Sequence, residues 1–332
     1  FDSPVQWEKD FTGDEEYICP GVAGRYFKNV TNKESPAWLQ QRLKAIGLRP
    51  ISALVDITNY ITHDLGRPLH VYDADKISGN LKMRYAKENE HCLTLDEENR
   101  ECTTDMIVIS DDKQLHGIGG IMGGFDSGCS LETKNVFLET ALFDPISVTK
   151  TGRNLKLQSD ARYRFERGID PTSIKWGVQA ATKMILDLCG GEASRPVQTP
   201  ILDGKKYTFD FNTNKIKSLG GVDVPKDNQK TILESLGFDV LERDNVFNIT
   251  VPSFRPDIEG EADIVEEILR IYGFNQIPLT NVNDHTNKKT VLSSELKSFY
   301  KIKRAIANTG YVEAVTWSFM DEKVAKLISD NV

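Results

Sequence analysis

The stretch HGIGGIMGGFDSG, His116–Gly128, places six glycines in thirteen residues. Glycine permits positive φ and lets a second backbone or a ligand come close. The segment before it, DMIVIS, then DDK, then QLHGI, reads as a strand, a polar turn and a second strand that dissolves into glycines. Phosphate is the first ligand to test. A Walker loop needs Lys and then Ser or Thr after its last glycine, whereas Gly124 is followed by Phe125 and Asp126. A dinucleotide fingerprint needs G-x-G-x-x-G opening a helix, and the sixth position from Gly117 is Met122. The spacing disfavours phosphate. Glycine-dense turns between strands, or a loop for some other ligand, are the readings left.

The chain has 332 residues, enough for two or three domains. No apolar run is long enough to span a bilayer, and no N-terminal stretch reads as a signal peptide. Five cysteines lie far apart without metal-ligand spacing, which points to free thiols in a reducing compartment, the cytoplasm. The net charge of −8 argues against nucleic-acid binding by bulk charge, so any RNA contact is local or supplied by a partner. The first residue is Phe1 and the last stretch is a helical pattern, so both ends read as cut from a longer protein.

Residues 1–20 are polar and irregular. RYFKNVTN reads as a strand. SPAWLQQRLKAIG reads as a helix capped by Ser35, started by Pro36 and ended by Gly47. ISALVDITNYITHDLG fits helix or strand. NVFLETALFD is a strand. DPTSIKWGVQAATKMILDLCGG is a helix with Asp170 as cap, Pro171 as start, Gly190 as stop, and one apolar face of Ile174, Val178, Ala181, Met184, Ile185 and Leu188. SRPVQTPILDGKK marks a boundary near residue 200. Beyond it come a strand (YTFDFN), a helix (KDNQKTILESLGF), a hairpin (FDVLERDNVFNITVPS) and a helix (EADIVEEILRIYGF). Residues 278–292 read as a linker, followed by a helix (SSELKSFYKIKRAIANTGY) and a strand (EAVTWSFM). The class is α+β with several domains.

His70, in GRPLHVYD, has a structural reading as a core or loop histidine and a functional one as a site residue. Glu139, inside the apolar strand NVFLETALF, must pair, neutralise or face a cavity, unless its position alternates toward solvent. QSDARYRFERG concentrates Arg162, Arg164 and Arg167. It could contact RNA, or be a structural segment ion-paired through Asp160 and Glu166. In RPDIEGEADIVEEILR, Asp263, Glu266 and Glu267 share a helix face near Asp257. A solvated face, with Arg270 four residues after Glu266, competes there with a hard-cation site for Mg2+.

Five ordered stretches, ALVDITNYITHDLGRPLHVYDADKI, GIGGIMGG, NVFLETALFD, DARYRFERGIDP and PSFRPDIEGEADIVEEILRIYGF, together resemble the beta chain of bacterial phenylalanine–tRNA ligases, from about Cys19 to the end. The resemblance implies an editing module over 1–198, which hydrolyses tyrosine wrongly attached to tRNA(Phe). It implies a small winged-helix-like domain over 199–277 and the start of a catalytic-like domain over 293–332, with mixed and antiparallel sheets. Editing residues carried over are Arg49, His70 and Glu139, with Gly123, Gly124, Ser159 and Ala161 shaping the pocket. Ser159 is often threonine in the family, a departure that keeps the hydroxyl. The magnesium ligands carried over are Asp257, Asp263, Glu266 and Glu267. Implied partners are tRNA(Phe) and the alpha chain of an alpha2beta2 heterotetramer. ATP binding and amino-acid activation belong to that alpha chain, so this stretch alone would form no aminoacyl-adenylate. An architectural piece that binds tRNA and the alpha chain without hydrolysis is the alternative.

Overall fold

In the computed structural model, residues 1–202, 207–279 and 292–329 are described. The chain forms two compact units, Phe1–Ile277 and Pro278–Val332.

The first unit is organised by two five-stranded sheets. One contains, in spatial order, Trp7–Lys9, Leu81–Tyr85, Ile107–Ser110, Leu115–Ile118 and Met122–Gly123. The other follows the path Glu192–Ala193, Gly21–Lys28, Val136–Leu142 and His70–Asp73, with Val197–Gln198 also paired to Gly21–Lys28. All pairings are antiparallel except the first, where Trp7–Lys9 runs parallel to Leu81–Tyr85. The polar segment 1–20 is therefore not irregular throughout. Val5, Trp7 and Phe11 are its buried anchors, and a three-residue strand suffices to place them.

Val136–Leu142 decides the layering. All seven of its residues are buried, because both faces of the strand are covered. Phe137 and Ala141 point into the core shared with the other sheet, beside Met83 and Ile107. Val136, Leu138 and Leu142 point the other way, into a core with the helices Ala37–Ala45, Ala53–Asp64 and Ser173–Cys189. Successive strand residues alternate faces, so Glu139 falls on the Phe137 side, between the two sheets.

The ambiguous ISALVDITNYITHDLG is a helix over Ala53–Asp64, with Leu54, Ile57 and Ile61 buried at helical spacing. Two helix starts differ from expectation. Pro36 is the cap residue of Ala37–Ala45, and Ser35 instead donates its hydroxyl to Asp56, a fully buried carboxylate that needs a donor. The long helix opens at Ser173, after an Asp170 side chain that accepts from the Thr172 amide, and it stops at Gly190.

Residues 207–277 build a third core. The antiparallel sheet has the order Thr208–Asn212, Val246–Thr250, Asp239–Arg243. The helices Lys215–Gly220, Lys226–Ser235 and Glu261–Tyr272 complete it around Phe211, Phe247 and Ile268. The hairpin of Asp239–Arg243 and Val246–Thr250 falls between the second and third of these helices. Lys215–Gly220 was not legible in the sequence; it is six residues long with Ile216 its one buried residue.

In the second unit the helix Ser294–Asn308 forms as expected, capped by Ser293. EAVTWSFM is not a strand. A strand needs a neighbour for its amides, and none lies among the described residues of this unit. The expected 278–292 linker lies almost wholly outside the described residues.

Candidate functional site

The glycine run folds as a tight hairpin. Leu115–Ile118 turns through Gly119 and Gly120 and returns as Met122–Gly123, with Gly117 opposite Gly123. Gly120 has φ of +69°, which few other residues adopt. No helix begins at its end, so the phosphate-cradle geometry is missing. The hairpin instead forms one wall of a small pocket of about 70 Å3.

His70, Tyr72 and Glu139 form the opposing floor of this pocket. His70 lies directly across from Glu139 in the antiparallel register, and Tyr72 follows His70 on the same face. A Cβ on Gly123 would come within 2.2 Å of the His70 ring, so glycine there is a requirement of close approach. Ala161 adds to the wall from the short helix Asp160–Phe165.

Glu139 is 7% exposed, and its Oε2 accepts the Tyr72 hydroxyl. Burial pushes its carboxyl up to about 7, against the Tyr72 hydrogen bond and the Arg67 charge, which pull it down. Burial and the neighbouring His116 push the His70 imidazole down to about 4, so this ring is neutral near pH 7. His70 Nε2 is shut off from solvent and has no partner among the described residues. A buried, unpartnered ring nitrogen beside a carboxylate of intermediate affinity for protons is suited to hold a polar ligand.

Ser159 caps Asp160–Phe165. Its oxygen accepts from the Arg162 amide at 3.0 Å, while its hydroxyl donates to the Ile121 carbonyl at 2.6 Å. It thereby ties the helix that carries Ala161 to the glycine hairpin. Gly124 is buried, and its amide donates to the His116 carbonyl at 2.7 Å. The geometry thus brings His70, Glu139, Gly123 and Ala161 together at the pocket, with Ser159 and Gly124 as its supports. Arg49 is not brought there. It is exposed, outside the pocket lining, and no hydrogen bond or ion pair holds it among the described residues.

Four further contributors escaped the sequence reading. Tyr72 could have been found from HVYD, since alternation puts it on the His70 face. Arg67 is fully buried; it donates to the Ala141 carbonyl and to Ser173 Oγ. His116 and Asp111 make a buried contact, Nε2 to Oδ2 at 2.7 Å, behind the Tyr72 ring. Neither signal is readable without the fold.

The arginine-rich stretch is internally ion-paired. Arg162 meets Glu166 at 3.0 Å, Arg164 meets Asp160 at 3.2 Å and Arg167 meets Glu166 at 2.7 Å. These contacts are the ones the structural reading named.

Three of the four acidic residues near 257–267 are already engaged. Arg255 binds Asp257 at 2.6 Å and Glu267 at 2.7 Å. Arg270 pairs with Glu267 at 2.8 Å rather than with Glu266. Asp263 accepts from the amides of Glu259 and Gly260, capping the helix, and Glu266 is exposed. Among the described residues no group of three or more His, Cys, Asp or Glu is placed to hold a metal. In this arrangement the carboxylates do not fit Mg2+, because two arginines neutralise Asp257 and Glu267 and two backbone amides occupy Asp263.

Comparison with known proteins matches this layout. The B3/4 domain family matches residues 18–190, more than half of the chain, and the tRNA synthetase B5 domain matches 209–274. A Phenylalanine–tRNA ligase beta subunit from Mesorhizobium japonicum is 47% identical over 313 residues, 93% of this chain and 39% of that one. The same subunit from Ruegeria pomeroyi is 44% identical over 330 residues, 98% of this chain and 40% of that one. The chain belongs to the phenylalanine–tRNA ligase beta-subunit family. It spans about two fifths of the length of these relatives. A solved N-terminal fragment of the phenylalanyl-tRNA synthetase beta-subunit from Pyrococcus horikoshii is 15% identical at a TM-score of 0.39, over 82% of this chain and 75% of that one, too loose a likeness to argue from. The pocket therefore lies inside the B3/4 domain, and the arginine-bound acidic residues lie inside the B5 domain.

Proposed function

We propose that the B3/4 pocket hydrolyses the ester of tyrosyl-tRNA(Phe), within a beta subunit whose alpha chain binds ATP and attaches phenylalanine. In this reading residues 1–198 are the editing module, 199–277 the winged-helix-like domain and 293–332 the start of a catalytic-like domain. The partners are tRNA(Phe) and the alpha chain of an alpha2beta2 assembly, in the cytoplasm.

One observation carries the reading. Glu139 is a carboxylate buried between two apolar sheets at the floor of a glycine-walled pocket. Tyrosine differs from phenylalanine by one hydroxyl, and a pocket that must choose tyrosine needs a buried acceptor for it. With phenylalanine bound, that acceptor stays desolvated and unpaired, which costs about 1–3 kcal/mol or more for a charged group. A site that pairs a substrate hydroxyl rejects the analogue lacking it by large factors. Among the described residues no serine or cysteine lines the pocket, so in this reading water is the attacker. His70 is held at too low a proton affinity to be a strong base near neutral pH. Its part is to orient that water, or the ribose hydroxyl, through Nε2. We assign no step to Mg2+.

The decisive comparison is Glu139→Ala against wild type, on tyrosyl- and phenylalanyl-tRNA(Phe). Tyrosyl ester hydrolysis is expected to fall roughly 10- to 100-fold, the size of a lost hydrogen bond to a charged group, while the phenylalanyl ester stays uncut by both. An unchanged tyrosyl rate returns Glu139 to a structural role. A wild-type chain that cleaves neither ester supports the architectural alternative.

A further inference from the structure

The Glu139 carboxylate is offered to the pocket by only one of its oxygens. Oε2 accepts the hydroxyl of Tyr72, itself 1% exposed, and Oε1 accepts nothing among the described residues. The Tyr72 ring is wedged in place. It stands edge-on to His70 at 4.4 Å and 77°, and edge-on to His116 at 6.3 Å and 78°. His116 is in turn fixed by Asp111 at 2.7 Å. The phenol therefore has little freedom, and it holds one carboxylate oxygen in a set direction.

We infer that Tyr72 is a positioning residue for specificity: it locks the Glu139 carboxylate through Oε2 so that Oε1 faces the pocket as acceptor for the para-hydroxyl of a tyrosyl ligand. The inference rests on the editing reading above and names a residue that reading does not use. The resident phenol also shows that this carboxylate pairs with a phenolic hydroxyl in this environment. Two phenols, one internal and one from the ligand, share the two oxygens of one carboxylate. Donation from Tyr72 stabilises the ionised form, the one that can only accept. The titratable groups around the carboxylate are Tyr72 and His70 on its neighbouring strand, Arg67 ahead of that strand, His116 on the glycine hairpin and Cys19 ahead of the strand Gly21–Lys28. Among them Arg67 and Tyr72 pull its proton affinity down, so removing the Tyr72 hydroxyl raises it.

The experiment is the carboxyl 13C titration of Glu139 in the whole chain, assigned by its loss in Glu139→Gln, for wild type and Tyr72→Phe. In parallel, the ratio of tyrosyl- to phenylalanyl-tRNA(Phe) hydrolysis is followed against pH. Tyr72→Phe is expected to move the Glu139 midpoint upward. It should also lower the ratio roughly tenfold at neutral pH, with recovery at alkaline pH where the freed carboxyl is ionised again. An unmoved midpoint overturns the inference, and so does a ratio that stays level or rises, since Tyr72 would then merely compete for the acceptor. Should Tyr72→Phe fail to fold, 3-fluorotyrosine at position 72 keeps the ring and strengthens the donor; the midpoint must then fall. If wild type cleaves no tyrosyl ester, the editing reading is lost, while the titration still shows whether Tyr72 sets the carboxylate.

Discussion

Glu139 is held in a place where its charge is expensive, and its pH dependence follows from that. Its carboxyl titrates near 7 in the folded protein, above the ordinary value of 4.5. The folded state therefore binds this proton more tightly than the unfolded chain. The resulting stability is complete below pH 4.5 and is lost as pH rises through about 7. Glu139→Gln cannot ionise and still accepts from Tyr72. Relative to this variant, wild type should lose on the order of 3 kcal/mol of stability between pH 4.5 and pH 8. Denaturant titrations of the two proteins at several pH values measure it, and a constant difference across the range would refute the shifted carboxyl. The same residue shows where the sequence was readable. A carboxylate in an apolar strand announced itself, but the choice between a solvent face and a cavity depended on a second sheet that NVFLETALF does not encode.

At the scale of the element, the helix Glu261–Tyr272 carries a charge network rather than an open acidic cluster. Glu267 is 7% exposed on its side chain and is gripped by Arg255 and Arg270. The Arg255 hydrogen bond, with Arg270 in support, holds its carboxyl down to about 2. A depressed carboxyl contributes stability above its unfolded value of 4.5, and that contribution disappears as pH falls through about 2. Arg255 and Arg270 are partly solvated, so the screened contribution is about 1–2 kcal/mol. Glu267→Gln should destabilise residues 207–277 by this amount at pH 7 and by almost nothing at pH 2. Melting monitored by amide resonances of that region checks both ends. The sequence placed three carboxylates correctly on one helix, since spacing alone fixes that. It did not show Arg255, twelve residues earlier, reaching back to Glu267 across the chain reversal.

For the whole molecule, stability and exposed apolar surface lie in different units. All three cores belong to Phe1–Ile277. No described residue of Pro278–Val332 is buried, and Val312, Val315, Trp317 and Phe319 are each more than 90% exposed. A chain ending at Ile277 should therefore melt within about 2 °C of the full chain and bind much less of a dye that senses apolar surface. A substantially lower melting temperature would mean that the second unit contributes to the cooperative core.

The sequence by itself determined the elements whose signals are local. Helical spacing in Ser173–Cys189, the Gly190 stop, the strand Val136–Leu142 and the hairpin Asp239–Thr250 all follow from periodicity and turn residues within a short window. It also marked the glycine run as a place of close approach. Only the tertiary structure decided what approached. His70 against Gly123 and Tyr72 on Glu139 join residues that are 53 and 67 positions apart, through strand register and sheet stacking. Register and stacking are set by burial summed over two whole sheets, and no single stretch of sequence carries that sum.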